Sequence, residues 1–329
     1  MGALRRTRNA FIVLSIVGPT WSAPCFASTT ESAQTAGRLL TESVGARPSG
    51  LAEAGTALVG DLNALSFNPA GLPFMKRSEA MARYQTMLGD VTSGALACGG
   101  RSGRMGWGAG TSYLDAGTIN LAFSDGRPSE SRSAEQDVTG QVSAGYLVTD
   151  FLSLGVGGRY IHSTLVQDYH ASAFAGDAGF VVQMPVKGWR LAGAVRNMGG
   201  RLKYKETGDP LPGETRVGTS FAYSPSGVAP EEPATEDEWY QRDENGTPIF
   251  TVLVDGVRDR AGNLSGAAAF ELTQWPRAAF RAGYGWGENA TGLTLGFGAN
   301  FLSWSLDYSW RLINDFSGAH RISFSMYWE

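Results

Sequence analysis

From residue 278 to the C-terminus the chain alternates apolar and polar positions in four successive runs. Ala278, Phe280, Ala282, Tyr284 and Trp286 fill every second place, separated by Arg281, Gly283 and Gly285. Leu293, Leu295, Phe297, Ala299 and Phe301 then oppose Thr294, Gly296, Gly298 and Asn300. Trp304, Leu306, Tyr308, Trp310 and Leu312 oppose Ser303, Ser305, Asp307, Ser309 and Arg311. Ile322, Phe324, Met326 and Trp328 oppose Arg321, Ser323, Ser325 and Tyr327. Successive side chains of a strand point to opposite faces, so each run predicts a strand with one apolar and one polar face. A soluble sandwich and a transmembrane barrel both satisfy that alternation. Three details favour the barrel. The polar face is hydroxylic or glycine with scattered charge, unlike the Lys/Glu-rich face of a soluble sheet. Aromatics mark both strand ends, Trp286 and Trp310 at one and Trp304 and Trp328 at the other, as two interfacial girdles require. The runs are also long enough for a tilted strand to span a bilayer.

The same alternation runs back along the chain. It predicts strands near 77–88, 90–101, 104–124, 137–149, 151–167, 168–184, 187–197, 214–224, 249–257, 263–272, 277–287, 290–302, 303–312 and 319–328. The expected fold is therefore an all-β, 14-stranded antiparallel transmembrane barrel over residues 76–329. An even strand number returns the C-terminus to the side of the N-terminus. Short connections at Arg101–Arg104, Thr149-Asp150, Pro185–Gly188 and Leu302-Ser303 would share one rim. Asp125–Gln136 and Met198–Gly213 are longer and would lie at the other. One connection on the short-turn side is long: residues 224–248 carry Pro225, Pro230, Pro233 and a run of acids from Glu231 to Glu244, which reads as a solvated insertion. Trp328 is followed by Glu329, whereas such barrels typically finish on an aromatic residue.

Composition agrees with little ordinary soluble surface: 329 residues hold 44 glycines, 11% aromatics and only 18% charged residues. Mean hydropathy is −0.14, and no run approaches the ~18 apolar residues of a spanning helix. The N-terminus is shaped like a secretory signal over residues 1–27. Arg5, Arg6 and Arg8 precede the apolar stretch Ala10–Val17, and Cys25-Phe26-Ala27 offers a cleavage site. Removal of that signal would leave Cys98 as the sole cysteine, so no intrachain disulfide is expected. The net charge is −4 without a basic patch, which makes nucleic acid an unsuitable partner.

Residues 28–75 lack strand alternation. They are rich in Ala and Gly, with one short helix expected over Thr35–Glu42, and end in Asn68-Pro69-Ala70-Gly71-Leu72. Gly45-Ala46-Arg47, Asp61, Asn63-Ala64-Leu65 and Asn68 to Leu72 together resemble the N-terminal segment of the PorV/PorQ family, relatives of the FadL-type fatty acid transporters. Leu152 to Ser163 resembles that family's "LSLGVGLKYIHS" strand, Asn197-Met198-Gly199-Gly200 its "NLG" corner, and Phe280 to Gly285, Thr291 to Thr294 and His320 to Ser323 its C-terminal strands. The resemblance covers nearly the whole mature chain. It implies a barrel closed by an N-terminal hatch at residues 28–75, with Asn68, Pro69, Ala70, Gly71 and Leu72 near the gate.

No catalytic constellation is legible, and an enzyme is not expected. His162, His170 and His320 lack metal-ligand spacing, so no metal or cofactor is expected. Ser163 adjoins His162 but faces the other side of its strand. Gly-x-Gly pairs lie on strands, where they let another backbone approach. Arg159, Arg277, Arg281, Asp307, Arg311 and Arg321 are the candidate lumen-lining charges. They could line a solute path or grip the hatch, and internal ion pairs are the plainer account. Two functions follow from the resemblance. The leading one is an accessory in protein export of the type IX kind, with secreted cargo or secretion components as partners. The alternative is a FadL-like transporter of a hydrophobic small molecule. Either implies the outer membrane of a Gram-negative bacterium, its lipid, and the barrel-assembly machinery.

Overall fold

In a computed structural model the chain is described over residues 35–87, 91–122, 128–223, 249–274, 278–287, 292–301, 303–313 and 316–329. The expected signal peptide, the insertion at 224–248 and Arg277 lie outside the described residues. The strands are β1 Ser78–Thr86, β2 Thr92–Ser102, β3 Met105–Asp115, β4 Thr118–Leu121, β5 Glu130–Ser133, β6 Glu135–Leu147, β7 Leu152–Leu165, β8 Tyr169–Gln183 and β9 Trp189–Gly199. Then come β10 Arg201–Lys203, β11 Gly208–Pro210, β12 Glu214–Tyr223, β13 Ile249–Asp259, β14 Leu264–Gln274, β15 Ala278–Gly287, β16 Gly292–Asn300, β17 Trp304–Ile313 and β18 Phe316–Trp328. Fourteen of them close one antiparallel barrel in chain order, and β1 pairs with β18 to complete it. Each expected strand has one barrel strand as its counterpart.

Two stretches depart from the sequence reading. The strand expected over 104–124 stops at Asp115, whose carboxylate accepts a hydrogen bond from Gly117 N at 2.9 Å. Gly117 has φ +76°, and the chain leaves the wall there into the small hairpin β4–β5. The segment Met198–Gly213, expected as a loop, holds a second hairpin, β10–β11. Its leucines explain it: Leu202 and Leu211 are buried against Leu40, Ile161 and the inward alanines of β8. The helix expected over Thr35–Glu42 is a single 3-10 turn, Arg38–Thr41, entered through Gly37 at φ +81°.

The polarity of the wall is inverted relative to a soluble protein. Outward Phe174 and Leu264 are 72% and 73% exposed, whereas inward Glu271, Asp255 and Arg321 are 2%, 1% and 3% exposed. Outward positions are aliphatic and aromatic around the circumference, a surface that only an apolar medium covers without cost. The compact core lies within the barrel. Leu39, Leu40, Leu51, Leu62, Leu65, Phe67, Leu72, Phe74 and Met75 are almost fully buried, and all belong to an inner segment, residues 36–75. It has little regular structure beyond the short helix Ala64–Phe67 and the 3-10 turns Arg38–Thr41, Ser49–Leu51 and Pro69–Phe74. Its backbone groups therefore need partners from the wall.

Candidate functional site: the seat of the inner segment

The wall supplies those partners differently on its two sides. On the β12-to-β1 side the partners are charged. Arg47 of the inner segment forks onto Glu271 of β14, with Nε–Oε1 at 2.9 Å and Nη2–Oε2 at 2.5 Å, and reaches Asp61 at 2.7 Å. Arg281 of β15 shares Glu271 at 2.6 Å and binds Asp307 of β17 at 2.6 Å. Arg321 of β18 donates to Glu42 at 2.6 Å, Glu53 at 3.1 Å and Gln85 at 2.6 Å, and also to Ser43. Arg311 joins Glu53 at 3.0 Å, and Arg83 of β1 joins Glu42 at 3.1 Å. On β12 and β13, Arg216 and Asp255 hold Thr56, with Thr56 N–H and Oγ1–H donating to Asp255 at 3.0 and 2.6 Å. Burial by itself would raise the Glu42 carboxyl, but Arg321, Arg83 and Arg311 together hold it down at about 2.

On the β3-to-β8 side one row of the wall offers room instead of charge. Gly106, Gly145, Gly155 and Gly179 stand directly opposite one another across β3, β6, β7 and β8. A Cβ at any of them would overlap the inner segment: Leu72 at Gly106, Pro69 at Gly145, Ala70 at Gly155 and Asn68 at Gly179. This glycine row is the seat of Asn68 to Leu72, where a backbone must come close to another backbone. Asn68 fixes the fit. Its amide donates to Thr56 O at 3.1 Å and to the wall carbonyl of Phe180 at 3.0 Å, while its Oδ1 accepts from Ala70 N at 3.1 Å and caps the turn. Pro69, Ala70, Gly71 and Leu72 are all buried in that turn.

On β7 and β9 charge returns: Leu40 O accepts from Arg159 at 3.2 Å, Arg196 at 3.4 Å and Asn197 at 3.3 Å. Arg159 also donates to Asp177 at 2.5 Å and to Ser66 O at 3.1 Å. Asn197, at φ +54°, sits where the β8–β9 register shifts. Arg196 and Arg216 lie 5.3 and 5.2 Å from the Phe67 ring, each within cation–π reach.

Arg159, Arg281, Asp307, Arg311 and Arg321 thus all face inward, into ion pairs and contacts with the inner segment. Sequence reasoning missed the partners Glu42, Glu53, Glu271 and Asp255 and the arginines Arg83, Arg196 and Arg216. Strand parity could have found those on the wall, because each occupies an inward position. No comparable signal existed for Glu42 and Glu53, which sit in irregular chain. His162 and His170 face outward, and their rings stack with centroids 5.9 Å apart.

No family model matches the sequence, and no curated protein matches it. Solved structures do. The Pseudomonas putida toluene transporter TodX aligns at a TM-score of 0.59 and 10% identity, covering 87% of this chain and 98% of its own. The CymD monoaromatic hydrocarbon channel aligns at 0.57 and 13% identity with the same coverage. A Pseudomonas aeruginosa FadL homologue aligns at 0.51 and 10% identity, again with 87% and 98% covered. At such identities the likeness establishes the fold alone, a closed antiparallel barrel like theirs.

Proposed function

We propose that this protein is an outer-membrane channel that passes a hydrophobic small molecule, with residues 36–75 as its hatch. One observation carries the reading: a barrel with an apolar exterior is filled by a segment that is seated on glycines on one side and clasped by ion pairs on the other. A structural plug would be served by its apolar contacts alone, such as Leu51 and Leu58 against Leu253 and Ala267, whereas the polar clasp added to them can exchange its partners for water. The structural neighbours, a toluene transporter and a monoaromatic hydrocarbon channel, support a hydrophobic cargo. They also reverse the order of the two functions expected from sequence, since the likeness falls on hydrocarbon channels and not on an export accessory. Asn68 to Leu72 and the arginines of the clasp are the gating residues of this reading.

The test is uptake of labelled toluene and of a labelled small sugar by a Gram-negative host deficient in its own hydrophobic channels. Expression should speed toluene uptake and leave sugar entry unchanged. Sugar entry without any gain for toluene would overturn the reading in favour of an open pore.

A further inference from the structure

On the outward face of β18, β1, β2, β3, β6, β7 and β8 lies a groove of about 890 Å³. Its floor is made of small residues in lateral register. Ala80 lies opposite Cys98, Cys98 opposite Ala109, Ala82 opposite Leu96, and Thr111 opposite Gly140. Gly158 continues the floor opposite Val142. Leu96, Val142, Tyr160 and Phe174 form its banks, and Phe324 and Met326 close the β18 end. At Gly140 and Gly158 an added Cβ would meet nothing within 4 Å, so the space there is open. On the adjoining strands β17 and β16 the outward positions Leu306, Tyr308, Leu295 and Phe297 are large, and the depression therefore ends at β18.

We infer that this groove is a binding site for a phospholipid acyl chain, held against the outside of the wall. The surface around it fixes the chemistry. Leu96, Val142 and Phe174 are 61%, 64% and 72% exposed, so the groove is continuous with the apolar belt and opens onto hydrocarbon. The hydroxyl on its floor is already satisfied, because Thr111 Oγ1 donates to Thr139 O at 2.8 Å. The charged neighbour Arg159 is turned inward to Asp177. An occupant with polar groups would leave them unpaired there. The dimensions select a chain over a compact ring. Six steps between adjacent strands make the groove about 29 Å long at about 4.8 Å per step, whereas a lipid tail reaches about 15 Å through its own leaflet, half of a hydrocarbon core of about 30 Å. A tail lying obliquely along the wall fits within that length. The site stands on the wall alone and is independent of the transport reading.

The experiment is native mass spectrometry of the full-length protein extracted from membranes in mild detergent. Wild type should carry a phospholipid through detergent exchange. Gly140→Leu combined with Gly158→Leu fills the floor and should lose it, while the unboiled protein still migrates faster than the boiled one on a denaturing gel. Should that pair fail to fold, Cys98→Phe fills the groove from β2 and is expected to give the same loss. A wild type stripped as readily as the filled variant, or a retained molecule that is a free hydrophobic compound and no lipid, would overturn the inference.

Discussion

The two sides of the inner segment are held by different physics. Along the glycine row of β3, β6, β7 and β8 the fit is steric: Gly106, Gly145, Gly155 and Gly179 have no side chain, and Asn68 to Leu72 occupy the space that leaves. From β12 round to β1 ion pairs are added to the close approach of Gly50 to Ala52 at Gly283 and Gly296, with Arg281, Arg311, Arg321, Arg83 and Arg216 meeting acids of the wall and of the segment. A steric seat is insensitive to solvent and fails when a methyl group is added. A buried ion-pair clasp tolerates changes of shape but fails when one partner is removed, because the other charge is left desolvated. The difference teaches which side can release. Ion pairs can exchange for water one at a time, whereas the glycine row gives way only if the backbone lifts off whole.

The largest effect is expected from Glu271→Ala. It strips Arg47 and Arg281 of a shared buried carboxylate and should cost about 3–5 kcal/mol, read as a lower midpoint for loss of the fast-migrating form on heating or in denaturant. Unchanged stability would mean the clasp is ornamental. Gly155→Val breaks the other side. Its side chain must displace Ala70, at about 1–3 kcal/mol by overpacking, and the displaced turn should let a normally excluded hydrophilic dye into cells. A variant as tight and as stable as wild type would dissolve the distinction between the two sides. Asn68→Ala removes the turn's cap and its bond to Phe180 O, and about 1 kcal/mol is expected from the cap. Denaturant titration beside the glycine variant measures it.

The smallest change needs no substitution. The Glu42 carboxyl is held at about 2, well below its ordinary 4.5. A depressed carboxylate contributes fully above the ordinary value and loses that contribution as pH falls toward the depressed one. Between neutral pH and 4.5 the Glu42 part of the clasp should therefore stay intact, and it should weaken only as pH drops from there toward 2. A weakening near pH 6 that Glu42→Gln abolishes would contradict the assignment.

Much of this was legible in the sequence. Fourteen strands are marked because each carries its own period-two alternation, a local signal that survives without any knowledge of pairing. Inward charge was legible for the same reason at Arg281, Asp307, Arg311 and Arg321. Gly-x-Gly pairs on strands announced a close backbone approach, but the row that the glycines form across strands was not legible. Glycine takes either face of a strand without contrast, and the alignment of Gly106 with Gly179 depends on the register of three successive strand pairs. The partners of the arginines were hidden as well, because Glu42, Glu53 and Asp61 lie in irregular chain where no period places a side chain. The hairpin β10–β11 was read as a loop since its two leucines, Leu202 and Leu211, are too few to display a period.

The central claim is that the inner segment must move for a hydrophobic molecule to pass, and a reversible tether tests it most directly. Ala46 N donates to Ser323 Oγ at 3.0 Å, which places the segment against β18 at that point. In a chain whose Cys25 and Cys98 are replaced by serine, Ala46→Cys with Ser323→Cys should form a disulfide across this contact. Toluene uptake is then measured in cells with the pair oxidised and again after reduction. The expected result is uptake that stops on oxidation and returns with the reductant. Equal uptake in both states, with the disulfide verified, would contradict the claim.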